Sequence, residues 1–259
     1  MGRVGASLPR PASGRALAPT TAVIPAAGAG QRLGADGPKA LVEVAGRPML
    51  EWSLRAFAAA PEVGEAIVAA HPDAVDRFSQ LAADVGAQQD LEVRVVAGGE
   101  TRSESVAAAL EPVESDVVAV HDAARPLLTP ELIGELVEKL LGRPDAAGVS
   151  AATPIVDTVK RAREPRPPRG EVARGGPTVA KTESRDHLWA AQTPQVFRTP
   201  ALRDALRASP QRLAEATDDA WLVEKDGGKV LIHPAPPENV KVTTPFDLRV
   251  AELLLAERE

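Results

Sequence analysis

Apolar runs of strand length alternate along this chain with amphipathic runs of helix length, and this rhythm restricts the fold more than any other feature. Thr21–Ala26, Ala66–Ala70, Val93–Ala97, Val117–Val120 and Ala146–Ala152 read as strands. Between them, Pro48–Ala60, Pro72–Val85, Ser103–Leu110 and Pro130–Leu141 read as helices. In the first of these, Met49, Leu50, Leu54 and Phe57 recur at helical spacing. Pro48, Pro72 and Pro130 suit first-turn positions. Strands apolar on both faces, alternating with helices, predict an α/β fold with a mainly parallel sheet flanked by helices.

The rhythm breaks at Thr153–Thr182. This stretch holds Pro154, Pro165, Pro167, Pro168 and Pro177, together with Arg161, Arg163, Arg166, Arg169 and Arg174. It reads as an excursion from the sheet, a β-arm over about 154–186. Ile155–Lys160 and Thr178–Thr182 are its predicted strands, and its tip, about 163–176, is polar and Pro-rich. Helices are predicted near Pro200–Ala208 and over Thr217–Lys225. A strand at Val230–His233, a short strand at Val240–Val242 and a last helix at Pro245–Glu257 follow. Residues 1–19 carry Arg3, Arg10 and Arg15, several prolines and no continuous apolar core. They read as a disordered leader and not as a signal peptide. Residues 20–259 then read as a single domain.

Composition narrows the chemistry. The absence of cysteine excludes disulfides, thiolate metal sites and a cysteine nucleophile, and four histidines make an all-protein zinc site a poor expectation. A formal net charge of −6 argues against a general nucleic-acid binder. Any anionic ligand must then be held by a local cluster of Arg and Lys. No apolar run approaches the roughly 18 residues needed to span a bilayer. The expected location is the cytoplasm, with no membrane partner.

Several motifs stand at predicted strand ends. Pro25-Ala26-Ala27-Gly28-Ala29-Gly30-Gln31-Arg32 runs on to Gly37-Pro38-Lys39. Small residues there let backbone N–H groups approach phosphate oxygens, and Arg32 and Lys39 add two positive charges. It is neither a dinucleotide fingerprint, since Leu33 replaces the third Gly, nor a P-loop. Gly98-Gly99-Glu100-Thr101-Arg102-Ser103-Glu104-Ser105 again reads as strand, turn and helix, with Thr101 or Ser103 as N-cap. His121-Asp122-Ala123-Ala124-Arg125-Pro126 ends an apolar strand, where ligands sit in open α/β sheets. An Asp there suits Mg²⁺, and Arg125 could reach a phosphate bidentately. Asn239-Val240-Lys241 puts a Lys in a predicted buried edge, where it must face an anion or a carboxylate.

Together with Ala191-x-Thr193-Pro194-Gln195 and Thr217-Asp218, and from about Thr21 to the C-terminus, this ordered set resembles the 2-C-methyl-D-erythritol 4-phosphate cytidylyltransferase family. The resemblance implies a Rossmann-like, GT-A-like nucleotidyltransferase fold with a protruding β-arm that clasps a second copy in a homodimer. It implies transfer of CMP from CTP to methylerythritol phosphate, with Mg²⁺ or another divalent cation. Ala26, Ala27, Gly28, Gly30, Gly99, Glu100 and Ser105 would contact CTP, and Arg32 and Lys39 its phosphates. Asp122 would bind the metal. Arg125, Thr158, Arg185, Thr193 and Thr217 would hold methylerythritol phosphate, some of them across the dimer. Lys241 would reach the α-phosphate, making Arg32, Lys39, Asp122 and Lys241 the expected catalytic set. Gln31 departs from the family, in which many members carry a second basic residue. Closely similar motifs serve other polyol phosphates such as ribitol 5-phosphate, and a non-catalytic nucleotide-binding regulator is a further alternative.

Overall fold

The computed structural model describes residues 20–28, 37–163 and 176–258. The leader expected over 1–19, most of the arm tip, and the turn segment holding Gly30 and Arg32 lie outside the described residues. In chain order the elements are β1 (Thr20–Pro25), β2 (Glu43–Val44), β3 (Arg47–Pro48), α1 (Met49–Ala59), β4 (Val63–Ala70), α2 (Val75–Gln89), β5 (Glu92–Ala97), α3 (Arg102–Leu110), β6 (Val117–Val120), α4 (Pro130–Leu141) and β7 (Gly148–Pro154). Then come β8 (Lys160–Arg163), β9 (Thr178–Thr182), β10 (Trp189–Arg198), α5 (Thr199–Leu206), α6 (Pro210–Glu215), α7 (Asp219–Lys225), β11 (Val230–Pro234) and α8 (Pro245–Ala256).

Seven strands form one sheet in the order β11-β7-β10-β6-β1-β4-β5. All neighbours are parallel except β10, which runs antiparallel between β6 and β7. The strands read as continuous apolar runs because both faces are covered. Ala22, Ile24, Ala66 and Val68 face one core with Leu54 and Phe57 of α1, Phe78 of α2 and Leu136 of α4. Val23, Ile67 and Ala69 point the other way, to a core with Val106 of α3, Leu202 of α5 and Leu222 of α7. This alternation is the period-two side-chain rule of strands applied to a sheet with two dry faces.

The rhythm of strands and helices matches the sequence reading, and the departures have local causes. The largest is β10, which was not predicted as a strand. It contains Pro194, which lacks a ladder donor, and polar Gln192, Thr193 and Gln195. The strand tolerates the proline because the β10–β7 register shifts between Ala191 and Gln195. The arm strand predicted at Ile155–Lys160 begins only at Lys160, whose ladder partner is Thr182. Ile155 makes one bond to the carbonyl of Leu188. The strand predicted at Val240–Val242 is absent: Val240 N–H turns back to the carbonyl of Glu238, Val242 N–H reaches the carbonyl of Ala124, and no ladder forms. Pro72 opens a 3₁₀ turn, so α2 starts at Val75. Pro48 stands just before α1, at its N-cap. The helix predicted from Thr217 starts at Asp219, with Asp218 as its cap.

Phe197 on β10 is fully buried opposite Gly148, and a β-carbon at Gly148 would come within 2.4 Å of its ring. The fit of a ring over a glycine locks β10 to β7. Phe197→Ala is expected to lower the unfolding free energy by about 3–5 kcal/mol. Denaturant titration checks this, and an unchanged midpoint would show that the site closes over the lost ring.

Candidate functional site

The strand order reverses between β6 and β1, and open α/β sheets place ligands beyond the carboxyl ends of strands at such a switch. The loops that leave β1, β5 and β6 converge there. After β1 the chain runs through Ala26, Ala27 and Gly28, and Lys39 N–H closes the turn on the carbonyl of Gly28 at 3.1 Å. After β5, Gly98 passes so close to the β1 loop that an added β-carbon would meet Ala27 at 3.1 Å and Ser105 Oγ at 2.8 Å. Glycine is required there by close approach. Thr101 then caps α3 in a reciprocal box with Glu104, at 3.2 and 2.9 Å. Ser105 donates its hydroxyl to the carbonyl of Thr101 at 3.0 Å.

These loops bound a cleft lined on one side by Ala26, Ala27, Gly28 and Lys39, and on the other by Gly99, Glu100 and Ser105. A second cleft adjoins it, lined by Arg125, Gln192, Thr193, Gln195, Thr217 and Asp218. Arg102, Asp122 and Lys241 line both clefts and so form their shared wall. The sequence reading assigned Asp122 and Lys241 here and gave Arg102 no role.

The wall is an ion-pair chain. Arg102 Nε donates to Asp122 Oδ1 at 3.0 Å, and Lys241 Nζ donates to Asp122 Oδ2 at 2.5 Å. On its other side Arg102 pairs with Asp219 at 2.8 Å. Burial opposes charge on Asp122, yet Arg102 and Lys241 outweigh it and hold the carboxyl well below the usual range. Burial likewise opposes the Arg102 guanidinium, and Asp219 and Asp122 reverse the balance and raise it. Asp219 itself is pushed up by burial, with Arg102 opposing. Just after Lys241 the chain is tied to the start of α8: Thr243 N–H, Thr243 Oγ1 and Thr244 N–H all donate to Asp247 Oδ2, at 2.9, 2.7 and 2.8 Å. The hydroxyl of Thr243 and the backbone donors hold the Asp247 carboxyl down at about 2.

Arg125 is almost buried and donates to the carbonyl of Asn239 at 2.7 Å. Asn239 in turn donates to Gln192 Oε1 and to the carbonyl of Thr193, both at 2.8 Å. Burial pulls Arg125 down, and Asp122 opposes this. Thr193 Oγ1 accepts from Asp122 N–H at 3.0 Å and lies 3.1 Å from His121 Nδ1. Thr158 and Arg185 line neither cleft. Both are exposed on the arm, where Arg185 donates to the carbonyl of Val156. The described residues contain no group of three or more His, Asp or Glu placed to hold a metal. An ion at Asp122 would therefore complete its shell with substrate oxygens and water, as Mg²⁺ does.

His121 is fully buried against Phe57, and burial pushes its imidazole down to about 4. It is neutral in the folded chain at neutral pH. The ordinary value is 6.5, so the unfolded chain takes up a proton that the native chain refuses between pH 6.5 and pH 4. Stability from this group is full above pH 6.5 and is lost as pH falls, by on the order of 3 kcal/mol at pH 4. Stability measured against pH for wild type and His121→Gln checks this. Parallel curves would remove His121 as the cause.

Comparisons with known proteins agree on one family. A family model described as IspD: 2-C-methyl-D-erythritol 4-phosphate cytidylyltransferase matches residues 20–257. A relative of that name from Acidobacterium capsulatum is 38% identical over 245 residues, covering 91% of this chain and 97% of its own length. One of the same name from Streptomyces coelicolor is 42% identical over 248 residues, covering 95% and 88%. Among solved structures, the 4-diphosphocytidyl-2C-methyl-D-erythritol synthase of Anaerococcus prevotii superposes with a TM-score of 0.73 at 28% identity, covering 92% of this chain and 99% of its own. The 2-C-methyl-D-erythritol 4-phosphate cytidylyltransferase of Thermus thermophilus superposes at 0.68 and 32% identity, with the same coverage.

Proposed function

The chain belongs to the 2-C-methyl-D-erythritol 4-phosphate cytidylyltransferase family, and on that premise we propose that it transfers CMP from CTP to 2-C-methyl-D-erythritol 4-phosphate, releasing pyrophosphate. The observation that carries this reading is the pair of adjoining clefts with a charged wall in common. The cleft of small residues with Lys39 suits a nucleoside triphosphate, whose phosphates need close backbone approach. The cleft with Arg125, Thr193 and Thr217 suits a phosphorylated polyol. Their junction is where an acceptor phosphate oxygen would meet the α-phosphorus.

The bond that forms joins that oxygen to the α-phosphorus, and the bond that breaks releases pyrophosphate. The acceptor is itself an ionised phosphate, so no strong general base is required. The work is to bring two polyanions together and to stabilise the charge gathering on the leaving group. Lys39 and Lys241, which line the nucleotide cleft, would do this, and Arg32, outside the described residues, is the further cation that the sequence offers. Asp122 would hold Mg²⁺, which supplies positive charge to the phosphates when bound. Neutral His121 fixes the loop that carries Asp122 and Arg125 without adding charge to it.

The arm supports a homodimer. Its two strands are exposed along both faces, and Val156 and Val179 are 78% and 64% exposed. A two-stranded hairpin is marginal on its own in water. A second copy would cover it and bring Thr158 and Arg185 to an acceptor cleft. No helix among the described residues is long and apolar enough to cross a membrane. The cytoplasm is the location that fits the reading.

Purified protein with CTP and Mg²⁺ should release pyrophosphate with methylerythritol phosphate, and not with ribitol 5-phosphate or without an acceptor. Release with ribitol 5-phosphate alone would reassign the acceptor. Lys39→Ala and Lys241→Ala should each lower kcat by about 100- to 1000-fold, roughly 3–4 kcal/mol, and move KM less. An unchanged kcat would make that lysine peripheral. Asp122→Asn should shift the Mg²⁺ titration to higher concentration, and an unaltered titration would take Asp122 out of the metal site.

A further inference from the structure

The transfer described above gives one buried charge no task. Asp219 is 0% exposed at the start of α7. Its neighbours Ala220, Leu222 and Val223 belong to the apolar core under the sheet, where an aliphatic side chain would sit at no electrostatic cost. It is not needed to cap the helix. Asp218 accepts from Trp221 N–H at 2.8 Å, and Gln195 Oε1 accepts from Ala220 N–H at 3.0 Å. Among the described residues neither oxygen of Asp219 accepts a hydrogen bond of good geometry. The charge contact at 2.8 Å to Arg102 is what meets it.

Arg102 stands where the two clefts join, and its five donors are not exhausted by two carboxylates. Its two anchors differ in kind. Asp122 is shared with Lys241 and faces the clefts, so a cation or a substrate entering there competes for it. Asp219 is shut inside the core, at the first turn of a helix, and faces no such competition. A guanidinium on a long flexible stem would drift once Asp122 turned to another partner, unless a second carboxylate kept it.

We propose that Asp219 is a positioning residue for the transfer, anchoring Arg102 in the wall between the clefts so that the guanidinium stays aimed at the substrate phosphates when Asp122 is drawn away. This rests on the cytidylyltransferase reading. Arg102 is the group that touches substrate, and Asp219 acts through it.

The test is a double-mutant cycle of Asp219→Asn, which keeps shape and removes charge, with Arg102→Met, read in steady-state kinetics and thermal unfolding. Asp219→Asn should remain folded and lower kcat by about 10- to 100-fold, the size of effect expected from a misplaced reacting group, with KM for CTP within about twofold. In the Arg102→Met background the same change should add less than about twofold to the loss, because coupled residues are not additive. A wild-type kcat in Asp219→Asn, or an undiminished loss in the Arg102→Met background, would overturn the proposal. If Asp219→Asn does not fold, Asp219→Ser carries the same comparison. A readout without substrate separates this idea from the activity on which it rests. In ¹⁵N-labelled protein, the Arg102 Nη–H resonances, assigned by their loss in Arg102→Lys, should be protected from exchange in wild type and exposed in Asp219→Asn, because Nη1 is the atom that meets Asp219 while Nε stays on Asp122. Protection that survives Asp219→Asn would overturn the anchor even if wild type proved inactive with methylerythritol phosphate.

Discussion

The carboxylate of Asp122 stays charged in the wall of a cleft because two cations meet it from opposite sides, and much of the fold is arranged to deliver them. Asp122 follows β6, between β1 and β10 in the sheet. Arg102 comes from the first turn of α3, which β5 and the glycine turn aim back across the end of β1. Lys241 comes from an irregular segment that docks on the Asp122 loop through Val242 and is pinned by Asp247 at the start of α8. Three parts of the chain distant in sequence therefore share one electrostatic knot. Removing one cation would leave a buried charge poorly met, a costlier change than losing a surface ion pair.

The second constraint is the antiparallel β10. Inserted between β6 and β7, it carries Thr193 to the Asp122 loop and Gln195 to the start of α7. Gln195 also donates to Asp218 at 2.8 Å and to Ser150 at 3.2 Å, so one side chain joins β10, β7 and α7. The register shift around Pro194 frees Gln192 and Thr193 from the β7 ladder, and Asn239 can then take both. The second cleft is thus built from interruptions of regular structure on a sheet that is otherwise regular.

This contrast explains what could be read from the sequence. Parallel strands buried on both faces are local and unmistakable, and β6 and α4 occupy the predicted residues. The polar motifs at strand ends were legible because small residues and cations stand together within a few positions. Lys241 does meet a carboxylate, but the premise of that expectation fails: the buried strand does not form, and Lys241 is exposed while it pairs with Asp122. β10 was hidden because proline and three polar residues mimic a loop, and only the β7 ladder reveals the shift that accommodates them. Arg102 and Asp219 were hidden for a different reason. Each looks like an ordinary helix-start residue, and their meaning lies in a contact across 117 positions of chain, which no local pattern encodes.

The charge balance of the knot bears on how such a site handles polyanions. Asp219, Arg102, Asp122 and Lys241 alternate in sign and sum to zero, in a chain whose own net charge is −6. At rest, Arg102 and Lys241 neutralise carboxylates and offer little unspent charge to a ligand. Lys39 lines the first cleft and Arg125 the second. Were the Asp122 carboxylate met by an added positive charge, Asp219 would still pair with Arg102, and one positive charge would be left in excess at the junction of the two clefts. For the transfer proposed above, a site built this way would keep its cations ordered without substrate and give charge to the phosphates only when the whole assembly is present. That differential is what favours a transition state over a bound ground state.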